Sequence, residues 1–158
     1  MIWIDTLVQG ILLGGLYALF AAGLSLVFGI MRLVNLAHGD LMVFAAYLIL
    51  VGVQVLGLSP WVAALVAMPL MVGFGWLLQT VVLNRVLGKD ILPPLLVTFG
   101  LSVTLQNGLL EGFSADSQRI PAGTLEGASL DLGLVTVGVM PLLTFVSAVA
   151  AIVALNWV

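Results

Sequence analysis

Two groups of residues in this 158-residue chain carry side chains suited to chemistry. The first is the string Asn35-Leu36-Ala37-His38-Gly39-Asp40. His38 and Asp40 set an imidazole and a carboxylate two residues apart, a pair that binds metals or shuttles protons in suitable surroundings. A metal site needs more ligands, and the chain has one His and no Cys. A Ser-His-Asp hydrolase needs an activated serine on a strained turn, and no such motif is present. The other reading of the string is a tight turn, in which Gly39 bends the chain and Asp40 caps the next helix. No catalytic residue, cofactor or metal ligand is expected.

The second group is Thr98, Gly100, Ser102, Thr104, Gln106 and Asn107, inside an otherwise apolar run. Thr98, Ser102 and Gln106 recur every fourth residue, so they fall along one side of a helix. An amide facing lipid is costly. This side is therefore expected to meet other helices or a wet cavity. Hydrogen bonding between helices and the lining of a path are both open to it.

The elements that position these residues follow from composition. The chain is 63% hydrophobic and 7% charged, with mean hydropathy +1.31. A soluble domain carries about 25% charged residues, so these few charges cannot clothe a water-exposed surface. The hydrophobicity excludes intrinsic disorder. The pI near 4.6, without a basic cluster, excludes a nucleic-acid module. The apolar share supplies about five membrane spans of roughly 20 residues each. The expected fold is all-α: a polytopic membrane helical bundle.

Charged and polar breaks divide the chain into uncharged runs at 6–31, 41–58, 61–84, 91–110 and 132–158. Ser59-Pro60 reads as an N-cap with proline at the first helical position, and Pro93-Pro94 opens the fourth run. The first run would rise about 39 Å as a helix, against roughly 30 Å of hydrocarbon. It must tilt, project, or break at Gly23 or Gly29. No Lys or Arg precedes it, which argues against a signal peptide. Pro69 and Pro141 fall inside runs and are expected to kink them. Gly10, Gly14, Ala18 and Ala22 form a small-residue stripe for close helix packing, within the bundle or at a subunit interface. Ala63, Ala67 and Gly75 repeat the pattern.

Arg32, Arg85 and Lys89 lie in the first and third connections, while Arg119 is outnumbered by acids between Glu111 and Asp131. The excess of positive charge assigns those two connections to the cytoplasm and the N-terminus to the outside. Trp3, Trp61 and Trp157 fall near the expected interfaces. The acidic 111–131 stretch reads as a solvated outer loop.

The stretch Gly23-Leu-Ser-Leu-Val-Phe-Gly-Ile-Met-Arg-Leu-Val-Asn-Leu-Ala-His-Gly-Asp-Leu-Met-Val-Phe-Ala-Ala-Tyr47 closely resembles the N-terminal signature of bacterial branched-chain amino-acid ABC transporter permeases of the LivH type. Gln9-Gly10, Gly15-Leu-Tyr-Ala-Leu19 and Thr98-Phe-Gly-Leu-Ser-Val-Thr-Leu-Gln-Asn107 resemble the same family. The resemblance runs from about residue 7 to 113. It implies a permease subunit of an ATP-driven importer in the bacterial inner membrane. Its implied partners are a second permease subunit, two cytoplasmic ATPase subunits, a periplasmic substrate-binding protein and membrane lipid, with no nucleic acid. The permease itself holds no nucleotide, and no Walker motif is present.

Family permeases are nearly twice as long and carry an ATPase-docking loop in their second half. Residues 1–158 therefore read as the N-terminal part of a permease domain. On this reading Asn35, His38, Gly39 and Asp40 hold the break between spans. Thr98, Ser102 and Gln106 contribute to the translocation path. The alternatives are a permease for urea or short amides and a non-transporting membrane scaffold subunit.

Overall fold

The structure, a computed structural model, describes residues 2–86, 88, 90, 92–114, 116, 118, 129–131 and 136–156. Its elements in chain order are α1 (Ile2–Met31), α2 (His38–Gln54), α3 (Pro60–Val81), a 3-10 turn (Leu83–Arg85), α4 (Leu92–Phe113), β1 (Ser129–Asp131), β2 (Thr136–Gly138) and α5 (Val139–Asn156). The chain divides into two compact units, residues 1–26 with 122–158 and residues 27–121.

Two stretches, Trp3–Ile30 and Pro60–Arg85, are long and apolar enough to cross a membrane by length and composition. Their exposed faces carry large apolar side chains, among them Trp3, Leu7 and Ile11 on α1 and Leu65, Val72 and Trp76 on α3. Such surface suits lipid or another apolar partner rather than water. Trp61 is exposed in the first turn of α3, whereas Trp157 lies outside the described residues.

Helix α1 runs without interruption through Gly23 and Gly29, so of the three alternatives it does not take the break. Arg32 ends the helix in the left-handed region (φ 51°), its N–H donating to the Phe28 carbonyl at 2.8 Å. In the first unit, α5 meets α1 at Gly15. A Cβ there would stand 2.5 Å from Phe145 Cδ2 and 3.3 Å from Phe145 Cα. Nothing lies within 4 Å of a Cβ built at Gly10 or Gly14, and Ala18 is exposed. Among the described residues, the close contact of α1 with α5 thus uses Gly15 rather than the stripe.

The ribbon of β1 and β2 is antiparallel, with Ser129 opposite Gly138 and Asp131 opposite Thr136. It corrects the fifth run, whose helix starts at Val139 rather than Leu132. Pro141 then sits in the first turn of α5, where its missing N–H has no intrahelical partner to lose. It does not interrupt a helix interior as expected. Pro69 does lie inside α3.

The second unit is built on α2, which packs against both α3 and α4. Gly57, at φ +63°, turns the chain after α2, and the Leu58 N–H donates to the Gly52 carbonyl at 3.1 Å. Helix α3 then starts at Pro60, with Ser59 as an extended N-cap residue, as expected. It runs antiparallel to α2: Gly52 meets Ala63 near the turn, and Phe44 meets Phe74 far from it, ring centroids 5.1 Å apart. Ala63 and Ala67 are buried, as small residues between close helices should be. Gly75 is exposed with open space around it.

Helix α4 runs parallel to α2. Asp40 faces Ser102 and Gln106, and seven residues later Tyr47 packs on Phe113 with centroids 4.4 Å apart. Ser114 closes α4 in the left-handed region (φ 63°), its N–H bonded to the Leu110 carbonyl at 3.0 Å. This conformation costs an L-residue about 1–2 kcal/mol and costs glycine little. Ser114→Gly is therefore expected to raise unfolding stability by up to about 1 kcal/mol in detergent, read as a higher thermal midpoint.

Candidate functional site

The connection between α1 and α2 spans residues 32–37. Asn35 shapes it. Its Oδ1 accepts the Ala37 N–H at 3.0 Å, and its backbone carbonyl accepts the His38 N–H at 3.2 Å. This is an Asx-type turn, which a short amide side chain makes in place of regular structure. Leu33 and Ala37, within the connection, are buried.

The break therefore lies before His38, not across it. His38 opens α2, and Gly39 and Asp40 follow within its first turn. Gly39 is helical and exposed, with nothing within 4 Å of a Cβ built there; the bend is at Leu36 and Ala37 instead. Ala37 is the N-cap residue, without a side-chain cap bond, so Asp40 does not cap α2. The Nε2 of His38 is buried and has no hydrogen-bond partner among the described residues.

The Asp40 carboxylate bonds across to α4. Its Oδ2 accepts the Ser102 hydroxyl. Its Oδ1 accepts the Gln106 amide at 3.0 Å. The Gln106 amide also donates to Ser102 Oγ at 3.3 Å, closing a triangle. Spacing on α4 makes this possible, because residues 102 and 106 stack one turn apart on one face.

The other polar side chains of α4 behave differently. Thr98 is wholly buried and donates to the Leu95 carbonyl at 3.1 Å. Thr104 and Asn107 donate to the Gly100 and Val103 carbonyls at 2.8 and 2.7 Å. Each of these returns a bond to its own helix. Of the three residues expected on one polar side, Ser102 and Gln106 join Asp40, whereas Thr98 satisfies itself within α4.

The position of the triangle along α4 follows from helix geometry. Helix α4 has 22 residues and rises about 33 Å, close to the thickness of a bilayer's hydrocarbon core. Ser102 is ten residues from its start, so the first turn of α2 begins about 15 Å along α4. Ser102 is buried, Asp40 is part-exposed and Gln106 is exposed. The triangle therefore has a closed side and an open one. Two turns further along α2, Ala46, Tyr47 and Leu50 line a cavity of about 120 Å³ with Gln118. Reading the sequence missed this cavity; its one available signal was Tyr47, two turns from Asp40 on the same helix face.

Residues 6–158 match the family described as the branched-chain amino acid transport system permease component. The chain belongs to this permease family. It is accordingly a membrane-embedded, polytopic helical protein. It is 26% identical to the high-affinity branched-chain amino acid transport system permease protein BraD of Pseudomonas aeruginosa, over 91% of this chain and 50% of that protein. It is 31% identical to LivH, a permease protein of the same description, from Salmonella typhimurium, over 70% of this chain and 39% of that protein. The Escherichia coli LivH is 28% identical over the same shares. The chain thus spans half or less of the length of these relatives. No solved structure matches it.

Proposed function

We propose that the chain forms part of the translocation path of an ATP-driven importer for branched-chain amino acids, with the α2–α4 polar face on that path. The observation that carries this reading is the Asp40–Ser102–Gln106 triangle, open on one side and about halfway along a helix of membrane length. Irregular backbone and ionisable groups at such depth belong where protein or water covers them. The turn at 35–37, just before α2, and the triangle have both features. Transporter sites near the midplane commonly use helices that begin or end there.

The chain would sit in the bacterial inner membrane with its N-terminus outside. Arg32 precedes α2 and Arg85 follows α3, so both flank one end of an antiparallel hairpin. Basic residues gathered on one side favour the cytoplasm for that side. A second permease subunit, two cytoplasmic ATPase subunits and a periplasmic binding protein would complete the importer. ATP hydrolysis would belong to the ATPase subunits, leaving this chain without catalytic work.

The test is uptake of labelled leucine by cells that depend on the full transporter carrying this chain. Ser102→Ala with Gln106→Leu is expected to slow initial uptake about tenfold, the equivalent of roughly 1.4 kcal/mol on the limiting step. Excess unlabelled isoleucine should compete and excess urea should not. Competition by urea in place of isoleucine would turn the reading toward an amide permease. Normal uptake by the double variant would remove the triangle from the path.

A further inference from the structure

Asp40 is an acid held among neutral groups. Both of its side-chain partners among the described residues, Ser102 and Gln106, are uncharged donors. A carboxylate at this depth is expensive unless a cation or water answers its charge. The donors orient the two oxygens without neutralising them. Asp40 also lies in the first turn of α2. The arrangement keeps an oriented and partly accessible carboxylate facing the open side.

We infer that the Asp40 carboxylate receives the α-ammonium group of the permeating amino acid. The inference rests on the permease reading above and assigns a recognition role within it. A branched-chain amino acid is a zwitterion whose side chain is wholly apolar, so its ammonium is the group that a lone carboxylate can recognise. Neutral donors suit a transient site. A lysine or arginine partner would hold the carboxylate in a permanent ion pair, and the solute would have to displace it. Ser102 and Gln106 instead hold Asp40 in place while its open side faces the solute. Urea has no formal charge and would gain little from this group.

The test uses the complete detergent-solubilised transporter carrying this chain, treated with a hydrophobic carbodiimide that modifies carboxyl groups. Modification of Asp40 is followed by peptide mass spectrometry, with Asp5 and Glu111 as internal references. Leucine at roughly ten times its dissociation constant should slow modification of Asp40 about tenfold, by occupancy alone. The references should not change. The des-amino analogue 4-methylpentanoate, urea and sodium ion should give no protection. Equal protection by 4-methylpentanoate would overturn the inference, because that molecule has no ammonium. Protection by sodium alone would also overturn it and mark an inorganic cation site.

Asp40→Asn supplies the second arm. It should cut leucine transport at least about tenfold in the assembled complex, and Asp40→Glu, which keeps a carboxylate, should retain clearly more transport than Asp40→Asn. Equal loss of transport in the two variants, both fully assembled, would make Asp40 a structural pin and overturn the assignment. If Asp40→Asn fails to assemble, protection of the wild type decides alone. Absence of leucine transport by the wild-type complex would overturn the permease reading and this inference together. Transport without protection would overturn this inference only.

Discussion

Asp40→Leu is expected to abolish leucine uptake, with a fall of at least about 100-fold, or roughly 2.7 kcal/mol. Its effect on stability is the sum of two opposed terms. Removing a part-buried carboxylate relieves a desolvation cost, and replacing such groups by apolar ones is often neutral or favourable. Against this, the Ser102 hydroxyl is buried and loses its acceptor, at a cost of about 1–3 kcal/mol. The single variant therefore says little about the bond, and the double-mutant cycle says more. Asp40→Leu and Ser102→Ala should be non-additive in thermal unfolding by about 0.6 kcal/mol, the average measured for hydrogen bonds between membrane helices, and by no more than about 1.7 kcal/mol. Thr98→Val should show no coupling to Asp40, because the Thr98 hydroxyl bonds within α4. Additive effects of Asp40→Leu and Ser102→Ala would show that the two side chains do not act together.

Gly52→Val should be the most damaging substitution for packing in the second unit. A Cβ at Gly52 would already stand 3.0 Å from Ala63 Cβ and 3.6 Å from Ala63 Cα. Two further methyl groups have no room unless α2 and α3 separate. Overpacking of this kind costs about 1–3 kcal/mol, and separation of α2 from α3 would also shift the first turn of α2 against α4. A size swap tests the contact itself. Gly52→Ala should lower the thermal midpoint, and adding Ala63→Gly should restore most of the loss. Failure of the swap to restore stability would mean that the helices do not meet at this pair.

Much of this architecture is legible in the sequence because punctuation residues act locally. Ser59-Pro60 marks the start of α3, and Pro93-Pro94 falls within the first turn of α4. Both follow from the fixed φ of proline and its missing N–H. The all-α membrane class follows from hydropathy alone. The start of α2 does not, because His38 and Asp40 look like loop residues. They are helical because the carboxylate finds its partners on α4, 62 and 66 residues away, and a local pattern cannot carry that pairing.

Two other departures have similar causes. Thr136–Gly138 reads as the start of an apolar helix, but it pairs with Ser129–Asp131, and three-residue strands leave too short a pattern to recognise. The small-residue stripe shows that α1 is built for close approach, yet the contact with α5 falls one residue away at Gly15. Helical spacing defines the possible faces, and the neighbour selects among them. For the candidate site, the fourfold spacing of Thr98, Ser102 and Gln106 marked the correct side of α4. It did not reveal that Thr98 satisfies itself while the other two reach Asp40.

The central claim is that the α2–α4 polar face opens onto water at membrane depth. The chain has no cysteine, so single cysteines report accessibility without background from the chain itself. Gln106→Cys would sit on the exposed edge of the triangle. Val72→Cys, on α3, would sit on an apolar surface where Val72 is 73% exposed. In the assembled transporter, a charged, membrane-impermeant thiosulfonate should modify Gln106→Cys at least about tenfold faster than Val72→Cys, because thiolate forms and charged reagent arrives only where water does. Equal rates, or faster reaction at Val72→Cys, would contradict an aqueous path along this face.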